Sequence, residues 1–240
     1  MPAKAGIHYN SAIINLSMSK YLKIFLLILV ATTASVKTTH AATEFLTSWK
    51  ANVFVDSQYA GKILPVKGSK VDLAFEILEN GKPADISKNE VAWFRNGSKF
   101  DSGLGKRIAT LNLPTLSSSE SVTIKIVVRQ YKGADIEKFI TLPIASPEVV
   151  ISSPYPLNVI PVGLNTFKPL FYFWNTANAN NLLVSCVGGN EEAQELKGSN
   201  LLQLSIPSGA TNTQVNLSMR AKNPEREFEN AGAAINLRVK

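Results

Sequence analysis

Histidine is nearly missing from these 240 residues. The two present, His8 and His40, both lie in the first 41 positions. The rest of the chain has no imidazole to take a proton from a serine or cysteine nucleophile. It also cannot form the usual His-containing catalytic zinc site. Cysteine is as scarce: Cys186 alone allows no intramolecular disulfide and no Cys-rich metal knuckle. No catalytic, cofactor-binding or metal-ligating residues are therefore expected. Clustered basic charge is lacking too. Of the formal +7, Lys4, Lys20, Lys23 and Lys37 fall in the same N-terminal segment, where no acid occurs. The rest keeps 21 basic against 18 acidic groups, a net of +3. Charge so weak and dispersed excludes nucleic acid as a partner. No stretch keeps a capped 3.6-residue apolar period, which argues against helices.

What is present is a core. Apolar residues make up 45% and charged residues 18%, a globular rather than disordered balance. The first residues stand apart from it. Lys20 and Lys23 precede the apolar run Ile24 to Ala31, and small polar residues continue to Thr39-His40-Ala41. This is the layout of a secretory signal peptide over 18–41. The run of about eight apolar residues is short of the roughly 20 that span a bilayer. An uncleaved leader would be the one membrane attachment. Residues 1–17 precede the positive segment and read as a mis-assigned N-terminal extension, with Met18 the initiator.

The remainder reads as strands. Val71, Leu73, Phe75 and Ile77 alternate with Asp72, Ala74 and Glu76, the period of a half-buried strand. Val122 to Val128 alternates likewise, and Ile136 to Leu142 reads as its hairpin partner across Lys132-Gly133. Val215 to Ala221 and Ile235 to Val239 repeat the pattern. Asn80-Gly81, Asn96-Gly97 and Gly188-Gly189-Asn190 supply turns. One short helical turn is expected within Asn223 to Asn230. A boundary near Ala145-Ser146-Pro147 leaves two halves, 42–145 and 146–240, each the size of an Ig-like sandwich. The halves echo one another in strand spacing. The expected fold is all-β: two tandem Ig-like β-sandwich domains after a signal peptide.

Several motifs resemble a known family. Trp49-Lys50-Ala51, Tyr59 to Pro65, Trp93-Phe94-Arg95-Asn96-Gly97 and Ser102-Gly103-Leu104-Gly105-Lys106 are similar to motifs of exported tandem Ig-like (PKD/Ig-type) proteins of candidate-phyla-radiation bacteria. Pro156-Leu157 and Pro169 to Trp174 resemble the opening of the family's second domain. The resemblance implies fold and export, not a chemistry. One departure stands out: Cys186 occupies about the place of the family's second core tryptophan, which implies repacking, with Trp174 the candidate to fill the space.

Trp93, mid-strand, reads as a core residue. Trp49 reads as a packing plug or an exposed contact. Phe171-Tyr172-Phe173-Trp174 would send alternate rings to opposite faces of a strand. One pair then packs at the joint between the halves or on a partner. These four and Trp49 are the candidate interface. Gly103-Leu104-Gly105-Lys106 lacks the spacing of a phosphate loop and reads as a turn. Glu191, Glu192 and Glu195 lack a calcium-loop spacing and read as a solvated acidic hairpin. Cys186 reads as an inert buried thiol.

The expected function is an exported, non-enzymatic binding or structural module at the cell envelope, the cell surface or outside the cell, touching a protein partner or a surface ligand. An accessory subunit of a pilus or type IV secretion machine is one alternative. A carbohydrate-active enzyme using paired carboxylates is the other.

Overall fold

The computed structural model describes residues 43–115, 119–189, 194–197 (backbone) and 201–240. The leader and extension expected over 1–41 lie outside these residues, as do Asn190, Glu191 and Glu192. Thr43–Lys240 forms one compact unit. Its strands are β1 (Thr43–Asn52), β2 (Lys70–Glu79), β3 (Lys82–Pro83), β4 (Glu90–Arg95), β5 (Ser98–Leu104), β6 (Ile108–Asn112), β7 (Ser121–Tyr131), β8 (Ala134–Pro143), β9 (Glu148–Ser152), β10 (Val159–Ile160), β11 (Gly163–Tyr172), β12 (Leu183–Gly188), β13 (Gln194–Lys197), β14 (Leu202–Ile206), β15 (Gln214–Lys222) and β16 (Asn230–Val239). Two short 3-10 turns, Pro156–Asn158 and Ala179–Asn181, are the helical pieces among the described residues. The all-β expectation holds. The helical turn expected within Asn223 to Asn230 is instead a series of tight turns, closed by Arg226 N–H donating to Asn223 O and Glu229 N–H to Arg226 O.

The strands build the same arrangement twice. In the first sandwich, β2 pairs with β1 on one side and with β6 and β3 on the other, facing a sheet in the order β5-β4-β7-β8. In the second, β14-β11-β9 faces β10-β16-β15-β12-β13. The added β10 runs parallel to β16. Alternation explains the cores. Val71, Leu73, Phe75 and Ile77 point one way from β2, and Val122, Ile124, Ile126 and Val128 meet them from β7. Each is nearly solvent-free, and burying such a side chain stabilises by about 1.5–3 kcal/mol before the entropy of ordering it is subtracted. The second core collects Phe167, Phe171, Leu204, Leu217, Met219 and their neighbours. Pro169 sits inside β11 where the strand changes partner, from β14 through Phe167 to β9 from Lys168. A proline, lacking its N–H, fits such a break better than an unbroken ladder.

Candidate functional site

The two sandwiches meet through residues that sequence periodicity does not single out. Between β1 and β2, residues 53–69 leave the first sandwich and lie along the second. Phe54 N–H donates to Trp174 O at 2.6 Å, and Trp174 N–H returns to Phe54 O at 3.0 Å, an isolated antiparallel bridge. Asp56 N–H donates to Phe171 O at 2.9 Å. The Phe54 ring packs against the second core. The same strap closes back on the end of the first sandwich: Val66 bridges Ala145, and Ala145 N–H donates to Pro65 O at 2.8 Å.

The aromatic run docks on this strap. Phe171 and Trp174 belong to the second core, at 1% and 0% exposure. Tyr172 and Phe173 face Tyr59 instead, with ring centroids 5.7 and 5.2 Å away. Strict alternation pairs Phe171 with Phe173 and Tyr172 with Trp174. The structure departs from that because β11 ends at Tyr172 and Phe173 takes φ 60. That left-handed residue, unusual for a bulky side chain, turns the chain so that Trp174 re-enters the core. Its indole N–H finds Glu148 O at 2.9 Å. Trp49, on β1, is half-buried against the first core, and the Lys62 ammonium from the strap lies 3.6 Å over its ring, a cation–π contact.

Gly68 turns the chain at the joint. Its φ is 76, and a Cβ there would lie 3.3 Å from Arg226 Nη1 and 3.6 Å from Asn175 Nδ2 of the second sandwich. Beside it, two loops of the second sandwich are tied by a polar network. Glu229, 7% exposed, accepts from the Asn175 backbone N–H and, at 2.9 Å, from Asn223 Nδ2. Asn223 Nδ2 also donates to Asn175 O at 3.1 Å, and its Oδ1 accepts from Glu225 N–H at 3.1 Å. A buried carboxylate is tolerated when its lone pairs are met in this way. A cleft of about 410 Å3 opens next to the network, lined by Asn52, Asn175, Thr176, Ala177, Asn181 and Glu225.

Cys186 lies in the second core, and burial pushes its thiol pKa up, which disfavours the reactive thiolate. Gly105, in the Gly-Lys turn, has φ 60, and a Cβ there would lie 3.1 Å from Ser87 Cα. The turn closes against its own chain. Among the described residues, no group of three His, Cys, Asp or Glu side chains could hold a metal ion, and no helix is long and apolar enough to cross a membrane.

No protein-family model matches the chain, and no curated protein does. Solved structures similar to it include the fibronectin(III)-like modules of Clostridium thermocellum CbhA, at 12% identity and a TM-score of 0.28, over 79% of this chain and 94% of that one. Three N-terminal domains of the bacteriophage RB49 highly immunogenic outer capsid protein match at 12% identity and a TM-score of 0.43, over 82% and 59% of the two chains. The Bacteroides ovatus protein SGBP-B, in complex with a mixed-linkage heptasaccharide, matches at 14% identity and a TM-score of 0.26, over 85% and 48%. The chain thus spans little more than half the length of the phage chain and about half of the Bacteroides one. Likeness at such identities concerns fold alone.

Proposed function

We propose that this chain is an exported, non-enzymatic binding or structural module of the cell envelope, working by contact with a protein or a surface ligand. The observation that carries this reading is the strapped joint. Residues 53–69 commit two backbone hydrogen bonds to Trp174, one to Phe171 and a three-ring cluster to joining two sandwiches. Segments that merely tether domains are exposed and make few contacts across the boundary. A braced pair suits a part that holds a surface or a spacing, since loops on a rigid scaffold bind without losing further entropy. Export rests on the leader, and the absence of imidazole beyond residue 41 weighs against proton-shuttling chemistry near neutral pH.

Cross-linking on intact source cells, with identification of what is captured, tests the proposal together with fractionation. The expected result is the chain in the exported fraction, joined to an envelope component. Pilus or secretion subunits among the captured proteins would select the accessory-subunit reading. A cytosolic chain with no captured partner would overturn the proposal. Turnover of a polysaccharide, lost on changing one of two acids to alanine, would replace it with the enzymatic one.

A further inference from the structure

The cleft at the joint has a lining that narrows what it can hold. Five of its six residues are polar: three asparagines, one threonine and one glutamate; Ala177 is the sole apolar member. An apolar ligand would strip water from five polar side chains and gain one methyl contact, a losing exchange. An anion would meet the Glu225 carboxylate with no cation in the lining to offset it. A divalent cation would find one carboxylate where such ions usually gather several. The exposed carboxamides of Asn52 and Asn181 each carry both a donor and an acceptor, which is what a hydroxyl group needs from its partner. At about 410 Å3 the space falls in the usual range of small-molecule sites.

The walls are held in place before anything binds. Asn178 Oδ1 accepts from Asn180 N–H at 2.9 Å, and Asn181 Nδ2 donates to Thr176 Oγ1 at 3.1 Å. Thr176 Oγ1 donates in turn to Asn178 O at 3.2 Å. The Glu229–Asn223–Asn175 network ties this loop to the one carrying Glu225. The strap, through Phe54 and Trp174, fixes the first of these loops against the end of β1, where Asn52 sits. Among the described residues, the side chains of Asn52 and Glu225 have no partner of their own. The loop of Glu225 also carries Phe228, 68% exposed, a ring open to stacking.

We infer that this cleft binds a neutral, polyhydroxylated ligand, a saccharide, held by Asn52 of the first sandwich and by Asn175, Thr176, Asn181 and Glu225 of the second. This deepens the proposed function and rests on it: the chain would be a surface-ligand module whose ligand is glycan. Binding, not cleavage, agrees with the lining, because glycoside hydrolysis calls for two carboxylates flanking the bond and the lining holds one.

The test is isothermal titration of the purified chain with xylohexaose, chitohexaose, cellohexaose and mannohexaose, backed by a glycan array. At least one saccharide should bind. Asn52→Ala and Glu225→Gln should each weaken that binding tenfold or more. Both side chains are exposed, so both variants should melt with the parent. Phe139→Ala, on β8 in the first sandwich, should leave binding unchanged. No binding to any saccharide would overturn the inference. So would equal binding by both cleft variants, or heat from calcium chloride with none from the sugars. Cross-linking on cells separates the two levels. A captured protein partner without saccharide binding sinks the cleft alone, whereas neither sinks the module reading as well.

Discussion

In the first sandwich a tryptophan stands fourth on a six-residue strand: Trp93 on β4, paired with Ile126 of β7. In the second, the fourth residue of the corresponding six-residue strand β12 is Cys186, paired with Met219 of β15. Strand order, length and register agree; the central side chain does not. The second core recovers its indole from elsewhere. Trp174, beyond the end of β11, is fully buried with Phe171 edge-on at 6.4 Å. Trp93 lies 5.6 Å from Phe75. Each indole N–H reaches a backbone carbonyl, Lys106 O at 3.2 Å for Trp93 and Glu148 O at 2.9 Å for Trp174. A core thus asks for filled volume and a satisfied N–H, and more than one point of the chain can deliver them. In the second sandwich the deliverer is also the residue the strap pairs with, so packing and joint share one tryptophan.

The largest effects should come from removing either indole. Trp93→Ala and Trp174→Ala should each cost about 3–5 kcal/mol, the transfer and cavity terms together, read in urea melts. The two variants should also differ in kind. Trp93→Ala should leave residues 53–66 as resistant to a protease as before. Trp174→Ala should open them, because the cavity left in the second core loosens the segment whose backbone pairs with Phe54. Equal protease resistance in both variants would show that the joint does not depend on the second core.

Putting the second tryptophan where the first sandwich has it comes next. Cys186→Trp alone should overpack a core that already holds Trp174 and cost about 1–3 kcal/mol. With Trp174→Ala in the same chain, the two changes should cost less than their sum if the new indole takes the volume the old one leaves. A strictly additive pair would mean that Cys186 and Trp174 do not compete for volume, and that the two cores are not filled in equivalent ways.

The joint itself offers a smaller lever. Gly68→Ala places a side chain at φ 76, a left-handed cost of about 1–2 kcal/mol, against Thr115 of its own sandwich and Arg226 and Asn175 of the other. Gly81→Ala shares the positive φ, at 74, but has open space around it. A larger loss at Gly68 than at Gly81 in parallel melts measures the crowding at the joint apart from backbone strain.

Much of each sandwich is legible in the sequence, and the reason is physical. Val71 to Ile77 and Val122 to Val128 alternate because one face of each strand is buried, and period two records that directly. The Lys132-Gly133 hairpin is legible because Gly133, at φ 88, needs a glycine's freedom. The strap is not. Residues 53–69 bind through backbone groups and scattered rings, which leave no period. Nor is the fate of Phe173 and Trp174, because one left-handed residue overturns an alternation that holds only while the strand continues. β1 is hidden as well, although Phe45, Thr47, Trp49 and Ala51 face the sheet interior more than their neighbours do; only two of the four are strongly apolar. The cleft needs Asn52 beside Asn175 to Asn181, and no local pattern brings residues so far apart in the chain together.

The smallest expected effect sharpens the contrast at the end of the first sandwich away from the joint. Tyr131 closes β7 in the first core and donates its hydroxyl to Glu79. Burial first, and then that hydrogen bond, push its pKa up to about 12 from 10.0. Glu79 is held below the usual carboxylate range, chiefly by its hydrogen bond from Lys132 and next by that from Tyr131. The signs give two separate windows. A phenol with a raised folded pKa contributes stability that is intact below about pH 10 and fades as pH climbs toward 12. A carboxylate with a lowered one contributes above its unfolded value, 4.5, and loses that contribution as pH falls through its lower folded one. The corresponding strand of the second sandwich ends in Lys222 and has no such phenol. Ultraviolet titration of the folded chain should therefore show a late-ionising tyrosine that disappears in Tyr131→Phe, with the melt of that variant flattening between pH 10 and 12 relative to the parent. Tyr172, also raised mainly by burial, supplies the internal control. If the late phase survives Tyr131→Phe and vanishes in Tyr172→Phe, the better-shielded phenol sits at the strap, and the joint rather than the far end of the first sandwich excludes water more completely.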